Sequence, residues 1–170
     1  MNIDLATEAD LPALVADMPQ QELLMDRLLR QSRGAGQLLV VRDNDRPVGM
    51  VYLWREPADE PEIRERLPAV PLLMHFEVLK EYRGYGIGTR LLQEAEQRLH
   101  DAGHRRVALG VDPNNLDAVR LYRRNGYWHW PYGDVATEGD EYCIYVKALV
   151  RHDLRPAESL FTAFSERAAG

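Results

Sequence analysis

Arg83-Gly84-Tyr85-Gly86-Ile87-Gly88 separates a strand-like run, Leu72-Leu73-Met74-His75-Phe76-Glu77-Val78-Leu79, from a helix pattern over residues 89–99. Glycines at 84, 86 and 88 therefore stand at the mouth of a helix. The first backbone N–H groups of a helix have no intrahelical partner, and the helix dipole adds positive potential there. Glycine removes the Cβ that would keep a ligand away from those groups. The physical reading is a pyrophosphate cradle. Gly84-x-Gly86-x-Gly88 is not the G-x-G-x-x-G of dinucleotide folds, and no acidic residue closes a second strand about 20 residues later as that fingerprint requires. A P-loop is excluded too, because Thr89-Arg90 follows Gly88 where Lys-Ser/Thr would be needed. A plain tight turn before a helix has the same composition, so the loop alone does not decide.

A second stretch supports it. Asn115-Leu116-Asp117-Ala118-Val119-Arg120-Leu121-Tyr122-Arg123-Arg124-Asn125-Gly126-Tyr127 follows the strand-like Arg106-Val107-Ala108-Leu109-Gly110-Val111. Together the two stretches resemble the GNAT superfamily of acyl-CoA-dependent N-acetyltransferases. The family pattern Arg/Gln-x-x-Gly-x-Gly/Ala matches Arg83, Gly86 and Gly88. The pattern Asn-x-x-Ala-x-x-Leu-Tyr-x-x-x-Gly-Phe/Tyr matches Asn115, Ala118, Leu121, Tyr122, Gly126 and Tyr127. Two motifs in family order are far more specific than either alone. The resemblance covers roughly residues 1–150. It implies an α/β (α+β) fold: a mixed sheet of about six to seven strands, flanked by helices and splayed between the fourth and fifth strands. It also implies acetyl-CoA as cosubstrate, no metal, and direct transfer to a primary amine of a small molecule.

The resemblance also assigns residues. Val78, with Leu79 and Lys80, would bind the pantetheine arm and acyl carbonyl through backbone groups. Arg83, Gly84, Tyr85, Gly86, Ile87, Gly88 and Thr89 would hold the pyrophosphate, and Asn115 would touch pantetheine. Tyr122 would be the general acid to the CoA thiolate, a role a phenol can fill because its ordinary pKa is about 10. By spacing alone Tyr122 reads as a packing residue on an amphipathic helix, Asn115 as an N-cap and Arg83 as a loop brace.

The general base is where the resemblance departs. Many family members carry Glu on the fourth strand, six residues before the position of Val78; here that position is Leu72. His75 and Glu77 lie nearby with the opposite strand parity, and a bulge would be needed to re-aim either into the cleft. Otherwise His75 reads as a satisfied sheet histidine and Glu77 as a solvated or Arg-paired carboxylate. A water chain, or an amine that arrives neutral, are further alternatives.

The 170 residues are 45% hydrophobic and 28% charged, enough for one N-acetyltransferase domain at 1–150 with an extension at 151–170. A formal net charge of −6 argues against nucleic acid as a partner. No run of 18 apolar residues appears, so no membrane partner is expected. Met1-Asn2-Ile3-Asp4 shows no leader pattern, and Cys143 is the one cysteine, so a cytoplasmic location is expected. Carboxylates cluster at Glu56, Asp59, Glu60 and Glu62, and again at Asp134, Glu138, Asp140 and Glu141. Facing the cleft they would favour an amine or polyamine; otherwise they are solvated loops. Trp54, Trp128, Trp130 and Tyr132 read as cleft walls, core or dimer packing, and a homodimer stays open. A protein or peptide N-acetyltransferase and a non-catalytic acyl-CoA sensor remain as alternatives.

The periodicities predict strands at 3–6, 37–42, 48–55, 72–79, 106–111, 127–130 and 142–149. They predict helices at 7–18, 20–33, 86–101 and 116–125, with one helical turn near 63–67. Apolar Ile87, Leu91, Leu92, Ala95 and Leu99 share a face of the third of these helices.

Overall fold

A hairpin of β2 (Gly36–Asp43) and β3 (Arg46–Trp54) forms the most buried part of the protein. Apolar residues occupy both faces, and Leu38, Leu39, Val40, Val51, Tyr52 and Leu53 are fully enclosed. Near-continuous apolar runs of this kind belong to strands covered on both sides. Each enclosed Leu or Val contributes roughly 1.5–3 kcal/mol over leaving it in water. The turn needs only Asn44 and Asp45, with Asn44 at φ 54°; Asn is among the few residues that tolerate this region.

The computed structural model describes residues 1–17, 20–131, 135–137 and 140–149. Its other strands are β1 (Asn2–Leu5), β4 (Leu72–Val78), β5 (Arg106–Val111), β6 (Trp128–His129), β7 (Val135–Thr137) and β8 (Asp140–Ala148). The helices are α1 (Leu11–Asp17), α2 (Gln21–Ser32), α3 (Pro61–Arg66), α4 (Ile87–Asp101) and α5 (Leu116–Arg124). Seven strands run in the order β1-β2-β3-β4-β5-β8-β6, with β7 pairing β8 beside this path. All neighbours are antiparallel except β4 and β5, which are parallel. This is the expected mixed sheet with its flanking helices.

The α4 stripe packs as its spacing predicts. Ile87, Leu91, Leu92, Ala95 and Leu99 are buried, and so is Glu96. Near the N-terminus, the Thr7 amide donates to Asp10 Oδ2 at 2.7 Å, but the first turn is a short 3-10 segment, Glu8–Asp10, before α1 begins. Asp10 also receives two bonds from Arg42, which hold its carboxyl below the usual range despite opposition from burial. β7 lies where the sequence reads as an acidic loop. Among the described residues no helix is long and apolar enough to cross a membrane. The extension at 151–170 lies outside the described residues.

Candidate functional site

The parallel pair is short. Leu72 pairs with Ala108 and Leu73 with Leu109, and there the pairing ends. Beyond it β4 and β5 part, and a cleft of about 1100 Å³ opens between them. One end of this cleft is the glycine loop. The first α4 amide with a helical partner is that of Arg90, bonded to Gly86 O at 3.1 Å. The amides of Ile87, Gly88 and Thr89 therefore precede the ladder and remain available. Gly84 and Gly86 adopt φ 85° and 78°, and a Cβ built on either meets nothing within 4 Å. Open space above free amides at the positive end of a fifteen-residue helix is an arrangement that suits an anion.

The end of β4 supplies another group. The Leu79 amide donates to Val48 O at 2.9 Å. Antiparallel ladders alternate, so the adjoining Val78–Gly49 pair is the open one. The Val78 amide thus turns away from β3, towards the cleft. Its carbonyl accepts from Arg83 Nε at 2.8 Å, so Arg83 braces the loop from strand to helix. Arg83, Gly84, Gly86, Ile87, Gly88 and Thr89 all line the cleft; Leu79, Lys80 and the exposed Tyr85 do not.

Tyr122, on α5, lines the same cleft and is 5% exposed. Its ring packs edge-on against Phe76, centroids 6.0 Å apart, and at a tilt against Tyr127 at 5.8 Å. The hydroxyl has no hydrogen-bond partner among the described residues. Burial raises the phenol well above its ordinary value, so the proton stays on oxygen. Asn115 caps α5, its Oδ1 accepting from the Ala118 amide at 3.2 Å, and it lines the cleft.

A bulge in β4 decides what faces the cleft from the other wall. Met74 pairs with Tyr52 and Glu77 with Met50, so His75 and Phe76 together oppose Val51. Trp54, Tyr52 and Met50 alternate along one face of β3, and their partners are Leu72, Met74 and Glu77. The extra residue therefore moves Glu77 onto the face of Leu72. Glu77 lines the cleft, and its carboxylate has no partner among the described residues.

His75 is the bulged residue, at φ 52°. Its Nε2 lies 3.1 Å from an Arg27 guanidinium nitrogen. A guanidinium only donates, so Nε2 is the acceptor and Nδ1 carries the proton. Arg27 is 9% exposed, lies 5.1 Å over both the Tyr52 and Trp54 rings, and is ion-paired with Asp26. Burial first, and then this cation, lower the imidazole from 6.5 to about 4. The unfolded chain consequently takes a proton before the folded one as pH falls. This stability is complete above about pH 6.5 and is lost down to about pH 4. His75→Gln should flatten that acid loss by about 3 kcal/mol at most in urea unfolding. Equal pH slopes for wild type and variant would exclude His75 as its source.

Glu60, at the start of α3, is the member of the first carboxylate cluster that lines the cleft, whereas Glu56 pairs with Arg30. Asp134 and Glu138, with Tyr132, fall outside the described residues. Trp54 is core, 4% exposed, and Trp128 is exposed. Arg27 and Phe76 escaped the sequence reading. Arg27 sits 48 residues from His75, with no local signal linking them; Phe76 differs from other core aromatics only through the bulge.

A family model described as Acetyltransferase (GNAT) family matches residues 5–127. Mycothiol acetyltransferase of Arthrobacter sp. (strain FB24) is 32% identical over 96 residues, 56% of this chain and 28% of that protein. N-alpha-acetyltransferase 30 of Schizosaccharomyces pombe is 28% identical over 88 residues, 52% of this chain and 55% of that one. The chain thus matches little more than half the length of these relatives at most. Among solved structures, a ribosomal-protein-alanine N-acetyltransferase from Brucella melitensis superposes with a TM-score of 0.70 at 24% identity, covering 88% of this chain and 100% of its own. A PaiA N-acetyltransferase from Thermoplasma acidophilum, in complex with coenzyme A, gives 0.68 at 19% identity, covering 87% and 99%.

Proposed function

The chain belongs to the acetyltransferase (GNAT) family, and from that premise we propose that it moves an acetyl group from acetyl-CoA to a primary amine of a small molecule. The observation that carries this reading is Tyr122, its proton held by burial, on the wall of a cleft whose far end is the free-amide mouth of α4.

The residues present suit acetyl-CoA. The amides of Ile87, Gly88 and Thr89, under the open space at Gly84 and Gly86, accommodate a diphosphate. Unpaired strand edges past Leu73 and Leu109 offer backbone partners to the amides of a pantetheine arm. When bound, the thioester supplies an activated acyl group. The Val78 amide, turned to the cleft, would then be the donor for the negative charge that develops on the carbonyl oxygen. Glu77 takes the proton of the incoming ammonium, directly or through water, freeing its lone pair to attack. As the C–S bond breaks, Tyr122 gives its proton to the departing sulfur, and the surplus proton of the acylated nitrogen passes through water to restore the phenol. His75 is not the base in this scheme, because its Nε2 lone pair is already spent on Arg27.

The acceptor is an amine because Glu60 and Glu77 bring carboxylates to the cleft. Similarity to an N-alpha-acetyltransferase keeps N-terminal peptides in contention. Thiol release from acetyl-CoA, measured over polyamines, aminoglycosides, amino acids and N-terminal peptides, tests the reading. Release with none of them would turn it into a binding module. With the best acceptor, Glu77→Gln should lower kcat/KM at least about tenfold and remove its acidic limb, while His75→Gln retains that limb. A wild-type profile in Glu77→Gln would assign the limb to the amine itself.

A further inference from the structure

Behind Tyr122 lies a charged cluster that the acetyl-transfer chemistry does not use. Glu96 of α4 is 4% exposed, and its Oε2 accepts from Lys147 Nζ of β8 at 2.6 Å. The same Nζ lies 5.5 Å from the centre of the Tyr127 ring. Tyr127 in turn packs on Tyr122, centroids 5.8 Å apart and planes at 59°. The backbone repeats the connection. The Tyr127 amide donates to Tyr122 O at 3.1 Å, across Gly126 at φ 85°. The Tyr127 hydroxyl and Glu96 Oε1 are both enclosed without an ordinary hydrogen bond.

An ion pair is a poor way to fill such a space. Burying two charges costs several kcal/mol per ion after relaxation, and apolar residues of like volume often do as well or better. What charges add over apolar atoms is direction. Lys147 is fixed by Glu96, and the Tyr127 ring is fixed by the cation over its face.

The geometry points to Tyr127 as a positioning residue for Tyr122, held by the Lys147–Glu96 pair, so that the Tyr122 hydroxyl meets the departing sulfur. Phe76 bounds the Tyr122 ring from the cleft side and Tyr127 from the core side. Proton transfer needs its oxygen within hydrogen-bond reach of the acceptor. The inference rests on the acid role of Tyr122 given above.

The test is a double-mutant cycle of Tyr127→Leu and Tyr122→Phe in the full chain, read as single-turnover acetyl transfer to the best acceptor of the amine panel. Tyr127→Leu alone should slow transfer about tenfold with acetyl-CoA affinity unchanged, and Tyr127→Phe, which restores the ring, should recover most of the loss. In the Tyr122→Phe background, Tyr127→Leu should cost less than about twofold, because the group it positions is gone. Equal losses in both backgrounds, or no loss at all, would each overturn the proposal. No effect of Tyr122→Phe itself would instead remove the acid role beneath it. Should Tyr127→Leu fail to fold, Lys147→Met replaces it in the same cycle and is judged by the same outcomes.

Discussion

Tyr122→Phe should lower kcat by roughly ten- to a thousandfold and leave acetyl-CoA affinity at its wild-type value, the range usual for removing a general acid. The structure makes this substitution unusually clean. The hydroxyl has no partner among the described residues, so its loss strands no buried donor or acceptor. The ring keeps its contacts with Phe76 and Tyr127, so the wall of the cleft retains its shape. Thermal stability should therefore be unchanged or slightly raised. Calorimetric binding of acetyl-CoA, a melting curve and kcat together separate the outcomes. An unchanged kcat, with chemistry shown to be rate-limiting, would return Tyr122 to a packing role.

Gly86→Val and Gly88→Val should each weaken acetyl-CoA binding on the order of a hundredfold, for different reasons. At Gly86 there is room for a side chain, but φ is 78°. A β-branched residue avoids that region, so the backbone relaxes and the amides of the first turn swing off target. At Gly88 the backbone is ordinary and the space is not. A Cβ would sit 3.2 Å from Leu121 and 3.5 Å from Phe76, and the γ carbons of valine reach further still. Phe76 also bounds Tyr122, so Gly88→Val should lower kcat as well, whereas Gly86→Val should act mainly on binding. Titration calorimetry on variants with retained melting transitions measures this. Wild-type affinity in both would remove the cradle from the account.

The glycine loop and α4 were legible because each is written locally, in spacing and in residues with special backbone freedom, whereas the splay between the fourth and fifth strands came only with the family resemblance. The bulge was not legible. It carries no Gly or Pro; a histidine occupies the left-handed position, held there by its paired neighbours Met74 and Glu77 and by Arg27 from α2. Strand parity read from sequence therefore set Glu77 on the wrong side relative to Leu72, and only the register corrects it. Glu96 was equally hidden. On an amphipathic helix it reads as a surface charge, yet its partner Lys147 arrives from 51 residues away. Arg83 matched the motif, but the motif did not distinguish a phosphate contact from the strand-to-helix brace that the Val78 carbonyl reveals.

The short Leu72–Ala108 and Leu73–Leu109 pairing has a mechanical meaning. It divides the strands from β1 to β4 from β5, β8 and β6. A wider ladder would carry load between the halves; here two rungs and the overlying helices carry it. An amide-bearing guest laid along the gap would stand in for a strand there and restore continuity across the sheet. Solvent exchange along this line should therefore slow when the cleft is filled.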